Sequence, residues 1–279
     1  MNSGQTGVPQ PLIVGFLAEE PLHPGSGQSI GTIDLPVARE GGTGDPYVPG
    51  SSHKGALKSA TGSAHAELYG SASSQGKVGF SDLRLLLLPV RSSVSAYKWT
   101  TCPRLLERLL RDCCRCNAAI TFIVPQVAPA EALSAEPHGQ RVYLEELTFT
   151  ISGPAPADVA AAIGALLPGA PAYDNTRQRL AKQLLIMSDD DFAWFTRFGL
   201  PVAAHNVLEQ DTKRSLNLWY EESLPVDTLL YGIAMSRAAT ATQLDSLRTW
   251  ITDNPWLQIG GKETTGRGIC RLQPLGGAP

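Results

Sequence analysis

The chain has 279 residues, of which 43% are hydrophobic and 18% charged, and its net charge is −3. That composition excludes a disordered or fibrous chain, and a chain of this length buries enough surface to fold without disulfides or a structural metal. The acidic balance argues against a free-standing nucleic-acid binder, which is usually basic.

The start, MNSGQTGVPQ, is polar and lacks the basic region of a secretory leader. Pro11 to Glu19 (PLIVGFLAE) reads as a strand, and Pro24 to Gly31 as a Gly/Ser loop. Ser51 or Ser52 is placed to cap a helix running to about Tyr69, which Gly70 ends. Val78 to Val90 reads as a strand pair or one bent strand. Pro103 to Cys116 is the clearest amphipathic helix, with Pro at its first position and leucines 105, 106, 109 and 110 at helical spacing. From Gly50 to Arg115 ten Lys/Arg face four Asp/Glu, about +6, which leaves about −9 elsewhere. A basic region on an acidic body can hold a polyanion locally and meet protein partners elsewhere, although solvated helix faces would give the same count.

The odd cysteine count, with Cys113, Cys114 and Cys116 crowded together, points to reduced thiols in a cytoplasm. The CxxC spacing of Cys113 and Cys116 has no second ligand pair nearby, so helix-packing thiols are expected rather than zinc. Pro125 to Gln140 reads as a surface loop, and Pro156 to Leu167 as a short helix. The apolar stretch Val159 to Ala172 is too short and too Pro-broken to span a membrane. Asn175 to Met187 is helical in pattern, and Ser188 opens an acidic run. Leu200 to Glu222 reads as a long hairpin with Asp211, Thr212 and Lys213 in its turn. Thr240 to Asn254 is read as a helix, followed by strands Trp256 to Ile259 and Gly268 to Leu272 around a glycine loop. Strands and helices interleave without strict alternation. The expected fold class is therefore α+β with an antiparallel sheet, in the manner of a ferredoxin-like fold.

The common enzyme signatures fail. Gly25-Ser-Gly27 followed by Gly31 is not GxGxxG, the stretch Gly70 to Lys77 is one residue too long for a phosphate-binding P-loop, and no GxSxG or HExxH occurs. Three segments remain. The loop Gly260-Gly261-Lys262-Glu-Thr264-Thr265-Gly266-Arg267-Gly combines close backbone approach with charge and hydroxyls, which suits sugar and phosphate contacts; a tight turn is its bland equivalent. Ser51, Ser52, His53, Lys54 and Lys58 stand at a helix start, where free N–H groups and the dipole attract phosphate, though ordinary capping reads the same way. Asp34 and His23, with Glu221 and Glu222 further on, are possible acids, bases or metal ligands; a lone Asp is commonly a turn residue.

Taken in order, AEEPLHPGSG, GTIDLPVARE, VPGSSHKGALK, VGFSDLRLLLLPVRS, WTTCPRLLERL, LWYEESLP and IGGKETTGRG resemble the backbone subunit of type III-B CRISPR (Cmr) effector complexes, in the RAMP superfamily of CRISPR RNA-binding proteins. The matches span about residues 13 to 272. The resemblance implies one RRM-like domain over residues 1–279, a ferredoxin-like palm with inserted fingers and a β-hairpin thumb at about 200–222. It implies a cytoplasmic subunit with no membrane partner. Its copies stack head to tail on CRISPR guide RNA beside other Cmr subunits and cleave guide-paired target RNA at six-nucleotide intervals with a divalent cation, Mg²⁺ or Mn²⁺. By the same resemblance Asp34 would activate the target 2′-hydroxyl or fix the metal, His23 would assist, and Glu221 or Glu222 would supply a further acid. The guide would lie on the glycine loop and on the helix starting near Ser52. A non-catalytic guide scaffold is the alternative. His53 and His205 depart from the residues the family pattern leads one to expect, and so does the acidic triplet Asp189 to Asp191.

Overall fold

A computed structural model of the chain describes residues 10–27, 31–71, 73–237 and 242–276. Strand β1 (Leu12–Ala18) leads through the short β2 (Tyr47–Val48) to helices α1 (Gly50–Thr61) and α2 (Ala66–Tyr69). Strands β3 (Val78–Phe80), β4 (Leu83–Arg91) and β5 (Tyr97–Thr101) precede α3 (Pro103–Arg115). Then come β6 (Glu131–Leu133), the hairpin β7 (Arg141–Leu144) and β8 (Leu147–Gly153), and α4 (Ala157–Gly164). Helix α5 (Asp174–Gln183), β9 (Leu184–Met187) and α6 (Asp189–Phe198) lead to the hairpin β10 (Val202–Leu208) and β11 (Ser215–Glu222). The chain closes with β12 (Leu229–Ser236), α7 (Thr242–Asp253), β13 (Trp256–Gln258) and β14 (Ile269–Pro274).

The centre of the sheet runs β14–β1–β12–β4, every neighbour antiparallel. Helix α1 joins β1 towards β4, and α7 joins β12 to β14. This is the β-α-β-β-α-β order of a ferredoxin-like palm. Everything from β5 to β11 is inserted between its second and third strands. Strand β1 is buried at all of its positions because apolar layers cover both faces of the sheet. Leu12, Val14 and Phe16 pack with Leu57 of α1 and Leu244, Leu247 and Ile251 of α7. Ile13 and Leu17 point the other way, to Leu106 and Leu109 of α3, Val159 and Ile163 of α4, and Leu180 of α5. Among the described residues no helix is long and apolar enough to cross a membrane.

Several local expectations change. Neither Ser51 nor Ser52 caps α1, which begins at Gly50 with Pro49 as its flanking residue and no side-chain cap. The helix does not run on to Tyr69. Gly62 turns to φ +64, and a 3₁₀ turn (Gly62–His65) separates α1 from α2. Val78 to Val90 is a single path broken at Ser81–Asp82, since β3 and β4 both pair with β12. Leu184 to Met187, read as helix, is a fully buried strand parallel to β5. A four-residue apolar run carries no period, so burial between two neighbours decides its conformation. The stretch Pro125 to Gln140 contains the sheet strand β6. The hairpin expected over Leu200 to Glu222 has arms Val202–Leu208 and Ser215–Glu222. Residues 28–30 of the Gly/Ser loop and the helix start at Thr240 lie outside the described residues.

Candidate active site at the base of the hairpin

Strands β10 and β11 form a separate two-stranded sheet, and its base is closed by segments far away in sequence. Residues 21–27 and 35–39 lie side by side, through the Gly25–Val37 bridge and the Ala38 N–H donating to the Pro24 carbonyl at 2.7 Å. The second segment also docks on β11. Leu35 N–H donates to the Tyr220 carbonyl at 3.1 Å, and Glu222 N–H donates back to the Leu35 carbonyl at 3.0 Å. Leu22 pairs with Leu224 from the other side. His23, Asp34, Glu221 and Glu222 are thereby brought to one seam from three parts of the chain.

Each has a defined role in the geometry. The Tyr220 N–H donates to Oδ2 of half-buried Asp34 at 2.8 Å, which fixes the carboxylate at the hairpin base. His23 is buried, with Nδ1 at 2.7 Å from the Glu222 carbonyl. A carbonyl only accepts, so Nδ1 carries the proton and a neutral ring has its lone pair at Nε2. Gly25 leaves room there, because a Cβ at that position would stand 2.9 Å from Nε2. The two glutamates face different surroundings, as neighbours on a strand must. Glu222 pairs with Arg39 at 2.6 Å and accepts from Val37 N–H at 3.0 Å, so its carboxylate ties the 35–39 segment down. Glu221 is wholly buried, with Lys262 Nζ at 3.2 Å, Arg267 at 3.9 Å and His205 Nε2 at 3.9 Å.

Lys262 and Arg267 belong to the glycine loop, which is stitched to the same seam. Gly268 N–H donates to the Pro21 carbonyl at 3.0 Å and Gly261 N–H to the His23 carbonyl at 3.3 Å. Gly260 stands at φ +82, and a Cβ on it would fall 2.5 Å from the His23 carbonyl oxygen, so only glycine fits. Lys262 itself sits at φ +69, an unfavourable conformation for a side-chain-bearing residue. Its ammonium lies 5.5 Å from the Trp219 ring centroid, and that ring stacks on His205 at 5.4 Å and 16°. Thr264, Thr265 and Gly266 form the exposed tip, where the Thr265 hydroxyl donates to the Lys262 carbonyl at 2.8 Å.

The start of α1 lies elsewhere and differs from expectation. Ser51 and Ser52 are exposed and Lys54 is half-buried. The Gly50 N–H donates to Asp82 at 2.7 Å, so a carboxylate already occupies the place expected for phosphate. Lys58 is exposed and its ammonium donates to the Gly70 carbonyl at 3.0 Å. His53 has no surface to offer RNA, which corrects its placement among the RNA contacts. It is 2% exposed, wedged edge-on between Phe16 and Phe80, with Nε2 at 2.6 Å from the Ser81 carbonyl. Burial disfavours the imidazolium and lowers its pKa below the ordinary 6.5.

Among the described residues the protein's donors do not by themselves enclose a Mg²⁺ or Mn²⁺, and no three His, Cys, Asp or Glu side chains converge to hold a metal. Asp34 stands as a single carboxylate anchored to an amide, and the nearby Glu221 already faces two cations. Mg²⁺ usually keeps several waters and takes one or two carboxylates together with substrate phosphates, so Asp34 would hold such an ion only alongside bound RNA. Sequence reasoning passed over Arg39, the partner of Glu222, and Trp219, which underlies Lys262. Neither carries a local signal, because each matters only through a residue distant in the chain.

The profile of the RAMP superfamily matches residues 16–271. A CRISPR system Cmr endoribonuclease, Cmr4 of Pyrococcus furiosus, is 27% identical over 93% of this chain and 94% of its own length. The fold is that of the crystal structure of oligomeric Cmr4 from the same organism, at 23% identity, TM-score 0.73, and coverage of 96% of this chain and 98% of that one. It is also that of a chain in the cryo-EM structure of the type III-B Cmr-beta complex bound to cognate target RNA, at 20% identity, TM-score 0.75 and coverage of 96% and 98%.

Proposed function

The chain belongs to the RAMP superfamily, and from that premise we propose that it is the backbone subunit of a cytoplasmic type III-B CRISPR effector complex, binding guide RNA and cutting the RNA paired with it at six-nucleotide intervals. The observation that carries this reading is the convergence of His23, Asp34 and the Lys262–Glu221–Arg267 cluster at the base of an exposed hairpin. A scaffold that only held RNA would need cations there, but not a carboxylate and an imidazole positioned by backbone hydrogen bonds. The relatives named an endoribonuclease and solved as an oligomer and with target RNA support the same assignment. Further copies of this chain and other Cmr subunits would complete the RNA path.

In the proposed reaction Asp34 accepts the proton of the 2′-hydroxyl next to the scissile phosphate. The 2′-oxygen attacks phosphorus, and the bond from phosphorus to the 5′-oxygen breaks, leaving a 2′,3′-cyclic phosphate. Protonated His23 gives its Nε2 proton to the departing 5′-oxygen. Lys262 and Arg267 offset the charge that builds on the phosphate oxygens, the role in which fixed cations act most strongly. Each of these steps is carried by the protein's own residues, and among the described residues no three-ligand cluster for a divalent cation accompanies them.

The test is cleavage of a guide-complementary RNA by the reconstituted complex, wild type beside Asp34→Asn, with Mg²⁺ and with EDTA. Asp34→Asn should leave assembly and target binding intact and lower cleavage at least ~100-fold, the lower range for acid–base catalysis. Target binding without cleavage in both proteins would leave a guide scaffold. Loss of assembly in the variant would make Asp34 a structural residue.

A further inference from the structure

We propose that Glu221 is a positioning residue, not an acid or base: it holds Lys262 and Arg267 as a cation pair for the scissile phosphate. The inference rests on the ribonuclease reading above and deepens it. Glu221 is wholly buried, and no hydrogen bond reaches either of its carboxylate oxygens. Its neighbours are the Lys262 ammonium at 3.2 Å and the Arg267 guanidinium at 3.9 Å. A carboxylate removed from water in this way is tolerable only with cations beside it. One negative charge against two positive ones leaves about +1 facing outward from the seam, through side chains that stay 33% and 21% exposed.

The cations are held from more than one side. The Trp219 ring lies 5.5 Å from the Lys262 ammonium, and its stacking on His205 limits the ring's freedom. The Lys262 backbone adopts φ +69, and such strain persists only where surrounding contacts enforce it. Gly260 admits no Cβ against the His23 carbonyl and so lets the loop press onto the seam, while Gly268 admits none against Ile259 and tightens the loop's own neck. A proton shuttle requires an open path to substrate, which a fully buried Glu221 lacks. A clamp requires a fixed place beside both cations, which it has. The arrangement puts positive charge on the loop that hydrogen-bonds to the His23 carbonyl, and among the described residues no cluster of metal ligands stands there.

Two measurements test this. The first uses the full chain, reductively ¹³C-methylated, with Lys262→Arg to assign its signal. The Lys262 dimethylammonium resonance should be displaced by the Trp219 ring and return towards the exposed lysines in Glu221→Gln. A wild-type resonance already among the exposed lysines, or one that Glu221→Gln does not move, overturns the inference whatever the complex cuts. The second is single-turnover cleavage across pH in assembled complexes. Glu221→Gln should slow cleavage ~10- to 100-fold, the cost of misplacing a reacting group, without removing a limb of the pH profile. Lys262→Met should cost ~100-fold. The double variant should fall within about threefold of Lys262→Met, because residues acting as one unit are not additive. Multiplying losses, or a lost pH limb in Glu221→Gln, would make Glu221 an independent acid or base. A wild-type complex that binds target and does not cut sinks the ribonuclease reading, while the resonance still decides whether Glu221 holds the cations.

Discussion

The hairpin base and the start of α1 both carry glycine, serine or threonine, and lysine in short motifs, and both were read as places for RNA. They differ in what surrounds those residues. At the hairpin base four segments meet and one buried carboxylate faces two cations, so positive charge is left over. At the start of α1 the first amide is already taken by Asp82, Lys58 bonds a backbone carbonyl, and His53 is sealed in the core. A motif therefore signals a site only when long-range packing leaves its charge unspent. The second region makes many of the same groups into structure.

The sharpest way to break this contrast is at the glycine loop. Gly260→Ala puts a methyl 2.5 Å from the His23 carbonyl oxygen at φ +82, whereas Gly266→Ala, at φ +73, meets nothing within 4 Å. The first variant should cost about 2–4 kcal/mol, from backbone strain and forced displacement of the residue that carries the imidazole, and should abolish cleavage. The second should cost only about 1 kcal/mol, the left-handed penalty alone. Urea denaturation of the two isolated chains checks the pair. Equal midpoints would mean that the loop is not pressed onto His23.

Much of this was legible in the sequence, but unevenly. Strand β1, helix α3 and the β10–β11 hairpin carry strong patterns and appear where those patterns put them. The central strand β12 (LLYGIAMS) escaped notice, although it lies between β1 and β4. Gly232 interrupts it, and only the structure shows why: a Cβ there would fall 2.5 Å from a Leu83 methyl. The inserted strands β6 and β9 carry little signal because they are short and pair with distant segments, whereas the local β7–β8 hairpin carries an alternating pattern that sequence reasoning did not use. At the site the separate motifs were visible and their meeting was not. Nothing local in TIDLPVARE tells that Arg39 reaches across the chain to Glu222.

Adjacent glutamates on β11 sharpen the comparison at intermediate scale. Glu222→Gln weakens the Arg39 pair and the hydrogen bond from Val37 inside a buried junction, and should cost about 2–3 kcal/mol. Glu221→Gln leaves two cations that can turn towards water, so it should cost under ~1 kcal/mol. Thermal or urea midpoints of the two variants would separate a carboxylate that builds the seam from one that arranges charge within it. A Glu221→Gln chain destabilised as much as Glu222→Gln would erase that distinction.

The smallest effect concerns His53, the residue that moved from the RNA surface to the core. Its burial lowers its folded pKa below the ordinary 6.5 of an unfolded histidine. Below that pH the unfolded chain binds a proton that the folded chain resists, so the stability contributed by neutral His53 is complete above about pH 6.5 and drains away as pH falls. Replacing it with leucine removes the titration and also the Ser81 hydrogen bond, worth about 1 kcal/mol. His53→Leu should thus melt slightly below wild type at pH 7.5, and the gap should narrow or reverse by pH 5.5. Other titrating groups are common to both proteins and cancel in the difference. A gap that stays constant with pH would mean that His53 is open to water, and would return it to the surface expected to touch RNA.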